Sequence, residues 1–456
     1  MNIDTALRIE EVRTHYEDFK YRTPIKFGGV ALDRVTLLNV HVTATSRSGR
    51  RAVGFGSMPL GNVWSFPSRV LSYDQTLAAM REVAESIAAL MRKCRETAHP
   101  IDLTWMLEPA FFDGAKDVSK KLQLAEPIPP LCTLVVASPF DAALHDALGK
   151  LNDLNAYETY GRPFLPRNLD HYLGADFKGE HLESYVLKTP RSRLPLYHLV
   201  GALDPLEQSD VTSSLGDGLP ETLGEWIGFN GLTHLKIKLN GSNIGWDVER
   251  VFRVDAVARG VQGKRGVTSW WYSLDFNERC PNVEYLLEFI GRLKERNAEA
   301  FGRVQYIEQP TARDLKANSH QCVHEAAKHL PVVIDESLLD LESLLLAREM
   351  GYSGVALKAC KGQTQSLLMA AAAQKYKMFL CVQDLTCPGA SFIHSAGLAA
   401  HVPGVAAIEG NGRQYVPIAN RGWEDRFPGL FKITDGMVDT GILTGIGLGF
   451  ERAGKS

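Results

Sequence analysis

Val304-Gln305-Tyr306-Ile307-Glu308 reads as a short strand that ends on a carboxylate, and the second half of the chain repeats that event. Apolar, β-like runs end in turn at Lys236 and Lys238, Asp275, Glu308, Asp335, Lys358, Asp384 and Glu409. From Lys238 onward the intervals are 23 to 37 residues by subtraction, the length of one strand, one helix and two loops. A (β/α)₈ barrel sets the C-terminal ends of its strands in a ring around one pocket. The pattern therefore predicts an α/β fold with a TIM-like barrel, and gathers five acids and three lysines at its mouth.

Working outward, helices are expected between the charged strand ends at Tyr285 to Arg296, Leu339 to Met350, Thr364 to Ala373 and Ser391 to Ala400. The first strand, Leu196 to Val200, and the last, Val405 to Glu409, complete eight. The long interval from Lys238 to Asp275 and the polar stretch from Gly161 to Leu194 read as loop insertions. Upstream, Val35 to Thr43 is rich in β-branched residues and Ser46-Arg47-Ser48-Gly49 supplies a turn, so an antiparallel meander runs from Arg22 to Pro67. Apolar positions from Leu77 to Met91 follow a helical period, and Ser138-Pro139-Phe140-Asp141 reads as the start of another helix. The expected organisation is an α+β unit over residues 1–150, a linker or insertion at 151–194 and a barrel at 195–414. A tail at 415–456 packs back on the first unit.

At 456 residues the chain exceeds one ordinary core, and its net charge of -3 gives no electrostatic reason to expect nucleic acid or an anionic membrane as partner. The opening Met1-Asn2-Ile3-Asp4-Thr5 lacks a basic and apolar leader, and the alanine-rich helical stretches are interrupted by charge, so a cytoplasmic protein is expected. The seven cysteines include no CxxC pair and read as free thiols.

Asp275, Glu308 and Asp335 are acids on three successive strand ends, the donor set a hard cation such as Mg²⁺ takes while leaving positions open for substrate and water. Lys236 and Lys238 alternate with Ile237, which points both to one face about 7 Å apart at Cα. Like charge at that range disfavours protonation, so one of them is expected to act as a base near neutral pH. Lys358 ends a strand four positions further round, opposite Lys238. Lys361 reads as a solvated loop lysine, and His394 and His401 as structural histidines.

These motifs, Lys236-Ile237-Lys238, Leu274-Asp275-Phe276-Asn277, Ile307-Glu308-Gln309-Pro310, Ile334-Asp335-Glu336-Ser337 and Leu357-Lys358, together with Asp141 to Lys150 upstream, resemble the enolase superfamily in its muconate lactonizing enzyme-like branch. The resemblance implies a capping unit over the barrel mouth and Mg²⁺ on Asp275, Glu308 and Asp335. It makes Lys238 and Lys358 the acid/base pair and Lys236 an electrostatic helper, for removal of a proton α to a carboxylate through an enediolate. Two opposed bases suit a racemase or epimerase; a dehydratase, an o-succinylbenzoate synthase-like lyase or a cycloisomerase could use the same pair, and a non-catalytic carboxylate-binding barrel is the rival outside catalysis. Where dipeptide epimerases carry Asp-x-Asp, this chain has Glu409-Gly410-Asn411, and the seventh strand end, Gln383-Asp384, lacks the histidine of other racemases. Asp384, Glu409 and Asn411, with Met58, Trp64 and Phe66 from a glycine- and proline-flanked loop of the cap, are expected to line the substrate. The expected partner is a small-molecule carboxylate, and symmetric homo-oligomers are the default assembly.

Overall fold

The computed structural model describes residues 5–27 and 30–451. Its first part is an antiparallel meander, β1 (Leu7–Phe27), β2 (Val30–Ser46) and β3 (Arg51–Pro59), ordered β3-β2-β1 with the two-residue strand Thr97–Ala98 at the far edge. The meander is longer than the sequence suggests, because β1 begins fifteen residues before Arg22. Three helices follow, α1 (Tyr73–Lys93), α2 (Pro100–Lys121) and α3 (Pro130–Asn152); α1 and α3 pack on the sheet, and α2 packs against both of them.

Helix α3 starts well before Ser138-Pro139, so Pro139 is an interior residue and not a first-turn one. A proline there cannot donate to the carbonyl of Val135. The Ser138 hydroxyl donates to that carbonyl instead, at 2.8 Å, and the helix continues. Strand β3 lies tight on this helix: a Cβ on Gly54 would fall 1.9 Å from the Ala143 carbonyl oxygen, and one on Gly56 2.0 Å from that of Pro139. Helix α3 is long and apolar enough to cross a membrane by length and composition, but its most apolar window is wholly buried between sheet and barrel.

The second part is a closed parallel barrel. Its strands are β4 (Arg193–Val200), β5 (His234–Lys238), β6 (Trp271–Asp275), β7 (Val304–Glu308), β8 (Val332–Ile334), β9 (Gly354–Leu357), β10 (Phe379–Val382) and β11 (Val405–Glu409), each paired with the next, and β11 closes on β4 through Ile408 opposite Leu196. Intervening helices are α4 (Leu223–Asn230), α5 (Ile244–Arg265), α6 (Val283–Arg296), α7 (Leu341–Glu349), α8 (Gln363–Lys375) and α9 (Gly389–His401). The long Lys238 to Asp275 interval is not a loop insertion: α5 alone fills 22 residues of it. Between residue 161 and β4 lie the short helical turns Asp170–Leu173, Ala175–Phe177 and Leu182–Ser184, and a tail strand, β12 (Met437–Asp439), pairs antiparallel with β4.

Period-two alternation sets the barrel interior. Tyr197, Tyr306, Val333, Ala356, Cys381 and Ala407 form one buried inner layer. Two residues further along the same six strands stand Leu199, Glu308, Asp335, Lys358, Gln383 and Glu409, all buried. The pleat that packs the barrel core thus delivers the charged ring above it.

Candidate active site

Neighbouring strands place the ring members side by side: Lys238 is in register with Asp275, and Asp275 with Glu308. Asp335 and Lys358 follow β8 and β9 by one residue. Asp275, Glu308 and Asp335 are fully buried, and the lysines nearly so. Buried charges need partners, and these find one another. The Lys236 ammonium lies 2.9 Å from Glu308 Oε1, 3.0 Å from Glu409 Oε2 and 3.1 Å from Asp275 Oδ2, and donates also to Gln383 Oε1 at 2.8 Å. Lys238 is paired with Asp275 and donates to Asn277 Oδ1 at 2.8 Å; Lys358 lies 2.8 Å from Asp335 Oδ2. The two lysines therefore hold different acids on opposite flanks of Glu308.

This pairing sets the charge states. Burial alone would raise the Asp275 carboxyl, but Lys238 and Lys236 hold it below the usual carboxylate range; Asp335 is lowered likewise, with Lys358, Lys361 and Lys236 outweighing burial. Glu308 goes the other way, pushed well up by burial and by Asp275. Burial works against the charge on Lys236 and Lys358, yet the facing carboxylates win and raise both. The expected lowering of a Lys236–Lys238 pair is thus not found for Lys236, because three carboxylates surround its ammonium. The lowered lysine is Lys361, through burial. It is not a solvated loop residue: it is buried and donates to the Asp335 carbonyl at 2.5 Å.

The capping loop reaches this centre through one side chain. Trp64, on the short helix Asn62–Ser65, lays its ring 4.2 Å from the Lys358 ammonium and donates its indole N–H to Glu336 Oε1 at 2.9 Å. Asn277 donates to the same oxygen at 3.1 Å, and Arg313, ion-paired with Glu278, donates to the Trp64 carbonyl at 3.0 Å. Burial and the Asp335 carboxylate push Glu336 up to about 7. Met58 and Phe66 are packed in the hydrophobic core, the Met58 sulfur 3.6 Å from Cys387 Sγ.

Asp384 accepts from the backbone N–H of Leu385 and Cys387 through Oδ1 and from that of Asn411 through Oδ2, each at 2.8 Å, while burial and Glu409 push it up to about 6. Asn411 donates to Glu409 Oε1 at 3.1 Å. The structure brings Lys236, Lys238, Lys358, Asp275, Glu308, Asp335, Glu409 and Asn411 into one network, with Trp64 as its roof; Asp384 supports the turn beside it. Asn277, Glu336, Lys361 and Gln383 are members that the sequence reading missed, although each lies within three residues of a strand-end charge. His394 and His401 are buried, His394 bonded to Gln363 and His401 stacked on Tyr157 at 3.7 Å.

Among the described residues no three histidine, cysteine, aspartate or glutamate side chains are drawn close enough to hold an ion as they stand. The donor chemistry nevertheless fits a hard cation: three carboxylates on successive strands already enclose positive charge, and the buried Glu308 Oε2 has no hydrogen-bond partner among the described residues.

A closed eight-stranded barrel, roofed by an α+β cap and carrying acids and lysines on its strand ends, defines a class. Residues 221–454, just over half of the chain, match the family model for enolase C-terminal domain-like proteins. The chain belongs to the enolase superfamily, in its mandelate racemase and muconate lactonizing enzyme branch. Among solved structures it is similar to a dipeptide epimerase from Enterococcus faecalis in complex with Mg and L-Leu-L-Tyr (15% identity, 97% of this chain and 99% of that one, TM-score 0.64). A muconate lactonizing enzyme from Pseudomonas fluorescens with muconolactone (18%, 98% and 96%, 0.62) and the L-Ala-D/L-Glu epimerase from Bacillus subtilis (16%, 97% and 98%, 0.61) share the fold to the same degree. No curated protein sequence matches the chain.

Proposed function

We propose that this protein removes a proton α to a carboxylate with the help of Mg²⁺, as a racemase or epimerase. The observation that carries the reading is the placement of two buried lysines on two different acids, Lys238 on Asp275 and Lys358 on Asp335, with Glu308 between them, its Oε2 without a hydrogen-bond partner among the described residues. Family membership supports an enzyme of isomerase or lyase type, and the structures quoted include two epimerases and a muconate lactonizing enzyme.

Asp275, Glu308 and Asp335 would hold the metal. Bound there, Mg²⁺ would offset the second negative charge that a carboxylate gains when its α-proton leaves. Lys358, held on Asp335, would take the α-proton from one side. Lys238 can deliver one from the other side, so that the enediolate is reprotonated with inversion. Lys236, held by Glu308, Glu409 and Gln383, keeps a fixed positive charge beside the developing anion. Trp64 excludes water from Lys358.

The division proposed is a capping unit at 1–150 with the tail 415–456 packing back on it, a linker or insertion at 151–194 and a barrel at 195–414; the protein is also proposed to be cytoplasmic and homo-oligomeric. Incubation with Mg²⁺ and a panel of chiral carboxylates in D₂O tests the activity. Deuterium at the α-carbon with loss of optical purity is the expected result; a substrate that eliminates without exchange would assign a lyase, and no reaction across the panel would remove the catalytic reading.

A further inference from the structure

Lys238 and Lys358 stand on different strands of the mouth, yet one short turn is tied to both. After β6 the chain passes through Asn277 and Glu278, two consecutive residues other than glycine in the left-handed region, at φ +43 and +59. Asparagine tolerates this conformation better than glutamate does. Strain of this kind persists only where surrounding contacts impose it, and it gathers at functional sites. The contacts here are specific: the Asn277 backbone N–H donates to Asp275 Oδ1 at 2.8 Å, and that of Glu278 to the Gln309 carbonyl at 2.7 Å.

The two side chains of the turn serve different targets. Asn277 Oδ1 accepts from Lys238 at 2.8 Å, and its amide N–H donates to Glu336 Oε1 at 3.1 Å. Glu278 takes Arg313, from the loop after β7, as a fork: the guanidinium Nε lies 2.9 and 2.8 Å from the two carboxylate oxygens, one terminal nitrogen pairs with Oε1, and the Arg313 backbone N–H donates to Oε2 at 3.0 Å. The other terminal nitrogen donates to the Trp64 carbonyl at 3.0 Å, and the Trp64 ring lies 4.2 Å from the Lys358 ammonium. Arg313 and Glu278 are both half-buried, and charge-assisted, bidentate bonds in such a setting are the strong ones. One planar fork thus bonds the turn that holds Lys238 and the backbone of the residue that covers Lys358.

We propose that Arg313 is a positioning residue for both lysines of the acid/base pair. Through Glu278 it holds the strained turn that fixes Lys238, and through the Trp64 carbonyl it holds the ring over Lys358. A single clamp, built from the loops after β6 and β7 and the capping loop, therefore sets both sides of the reacting centre at once. Its part in turnover rests on the catalytic reading above; the placement of the lysines does not.

Trace acetylation of the full chain with acetic anhydride, read lysine by lysine by mass spectrometry, tests the clamp without any substrate. Arg313→Met should speed acetylation of Lys238 and Lys358 about tenfold or more, the effect of a lost charge-assisted bond on local opening. Lys236, on the same strand as Lys238 but held by three carboxylates, should keep its rate. Trp64→Ala should speed Lys358 alone. Arg313→Lys keeps the charge and loses the fork, so it should release both lysines to a smaller degree. Melting curves establish that each variant folds, and Arg313→Lys decides the matter if Arg313→Met does not fold. No change at either lysine, a rise at only one of the two, or an equal rise at Lys236 in a folded Arg313 variant would each overturn the proposal. On a substrate found in the D₂O assay, Arg313→Lys should lower kcat for both enantiomers alike and leave KM unchanged; a loss confined to one enantiomer, or a change in KM alone, would overturn the assignment to both bases. Release of both lysines in a protein that exchanges no carboxylate would instead remove the catalytic reading and leave the clamp standing.

Discussion

At the scale of single residues, the two lysines held on separate acids make the sharpest prediction. Replacing Lys238 or Lys358 by alanine should lower turnover by about 10² to 10⁴, the usual contribution of a positioned acid or base. The measurement is α-proton exchange on the active substrate for each enantiomer separately. If each lysine serves one face, Lys238→Ala and Lys358→Ala should each abolish exchange from one enantiomer faster than from the other; equal residual exchange from both would mean that one base serves both faces. A second residue speaks to stability. Glu108, partly buried on α2, has its carboxyl pushed up to about 7 by burial and by Asp141 and Asp340. Its folded pKa lies above its unfolded one, so the native state binds the proton more tightly. The cost to stability is absent below about pH 4.5, grows as pH rises toward 7 and is complete above it. Glu108→Gln should therefore leave stability unchanged at pH 4 and increase it at pH 8 by about 1–2 kcal/mol, after allowing for solvent screening. Denaturant midpoints at the two pH values check the sign.

Single elements depend on a few contacts that only the tertiary structure supplies. Asp141, buried in α3, accepts from the Thr104 hydroxyl at 2.7 Å, from the Thr364 backbone N–H at 2.7 Å and from its hydroxyl at 2.8 Å, so one side chain joins two cap helices to the first turn of α8. Asp141→Ala leaves those donors unpaired and should cost about 3–5 kcal/mol in unfolding free energy; a loss below about 1 kcal/mol would show that water replaces the carboxylate. Gly61 precedes the short helix that carries Trp64, with φ +51, and a Cβ there would fall 2.7 Å from Leu385. Alanine at this position should displace the Trp64 loop, seen as a change in tryptophan emission and in the reactivity of the buried lysines. The sequence showed β7, α6 and the lysine-bearing β5 plainly, because each keeps a single period over its length. It misplaced the start of α3 because Pro139 carries a start signal, and only the Ser138 hydroxyl bonded to the Val135 carbonyl shows why the helix passes through it.

For the whole molecule, the ring was legible because a parallel barrel turns strand-end spacing directly into geometry: Asp275, Glu308, Asp335 and Lys358 needed only their order along the chain. Lys361 and Glu336 were not legible, since their burial depends on the cap lying over the mouth, a contact between segments some 270 residues apart in the case of Trp64 and Glu336. The same closure argues the last prediction. Ammonium groups lie against all three buried acids, so the centre is built to favour positive charge. A divalent ion that binds only the folded chain stabilises it by mass action, about 2.7 kcal/mol at a hundredfold excess over its Kd. Mg²⁺ should therefore raise the melting temperature in a saturable way, and Asp335→Asn, which keeps the shape of the side chain and removes a charged ligand, should abolish the rise. A rise that survives in Asp335→Asn would place the ion elsewhere. No rise in the wild type, with calorimetry also silent, would mean that Lys236 and its three carboxylates are the finished site and that the ammonium group itself supplies the charge.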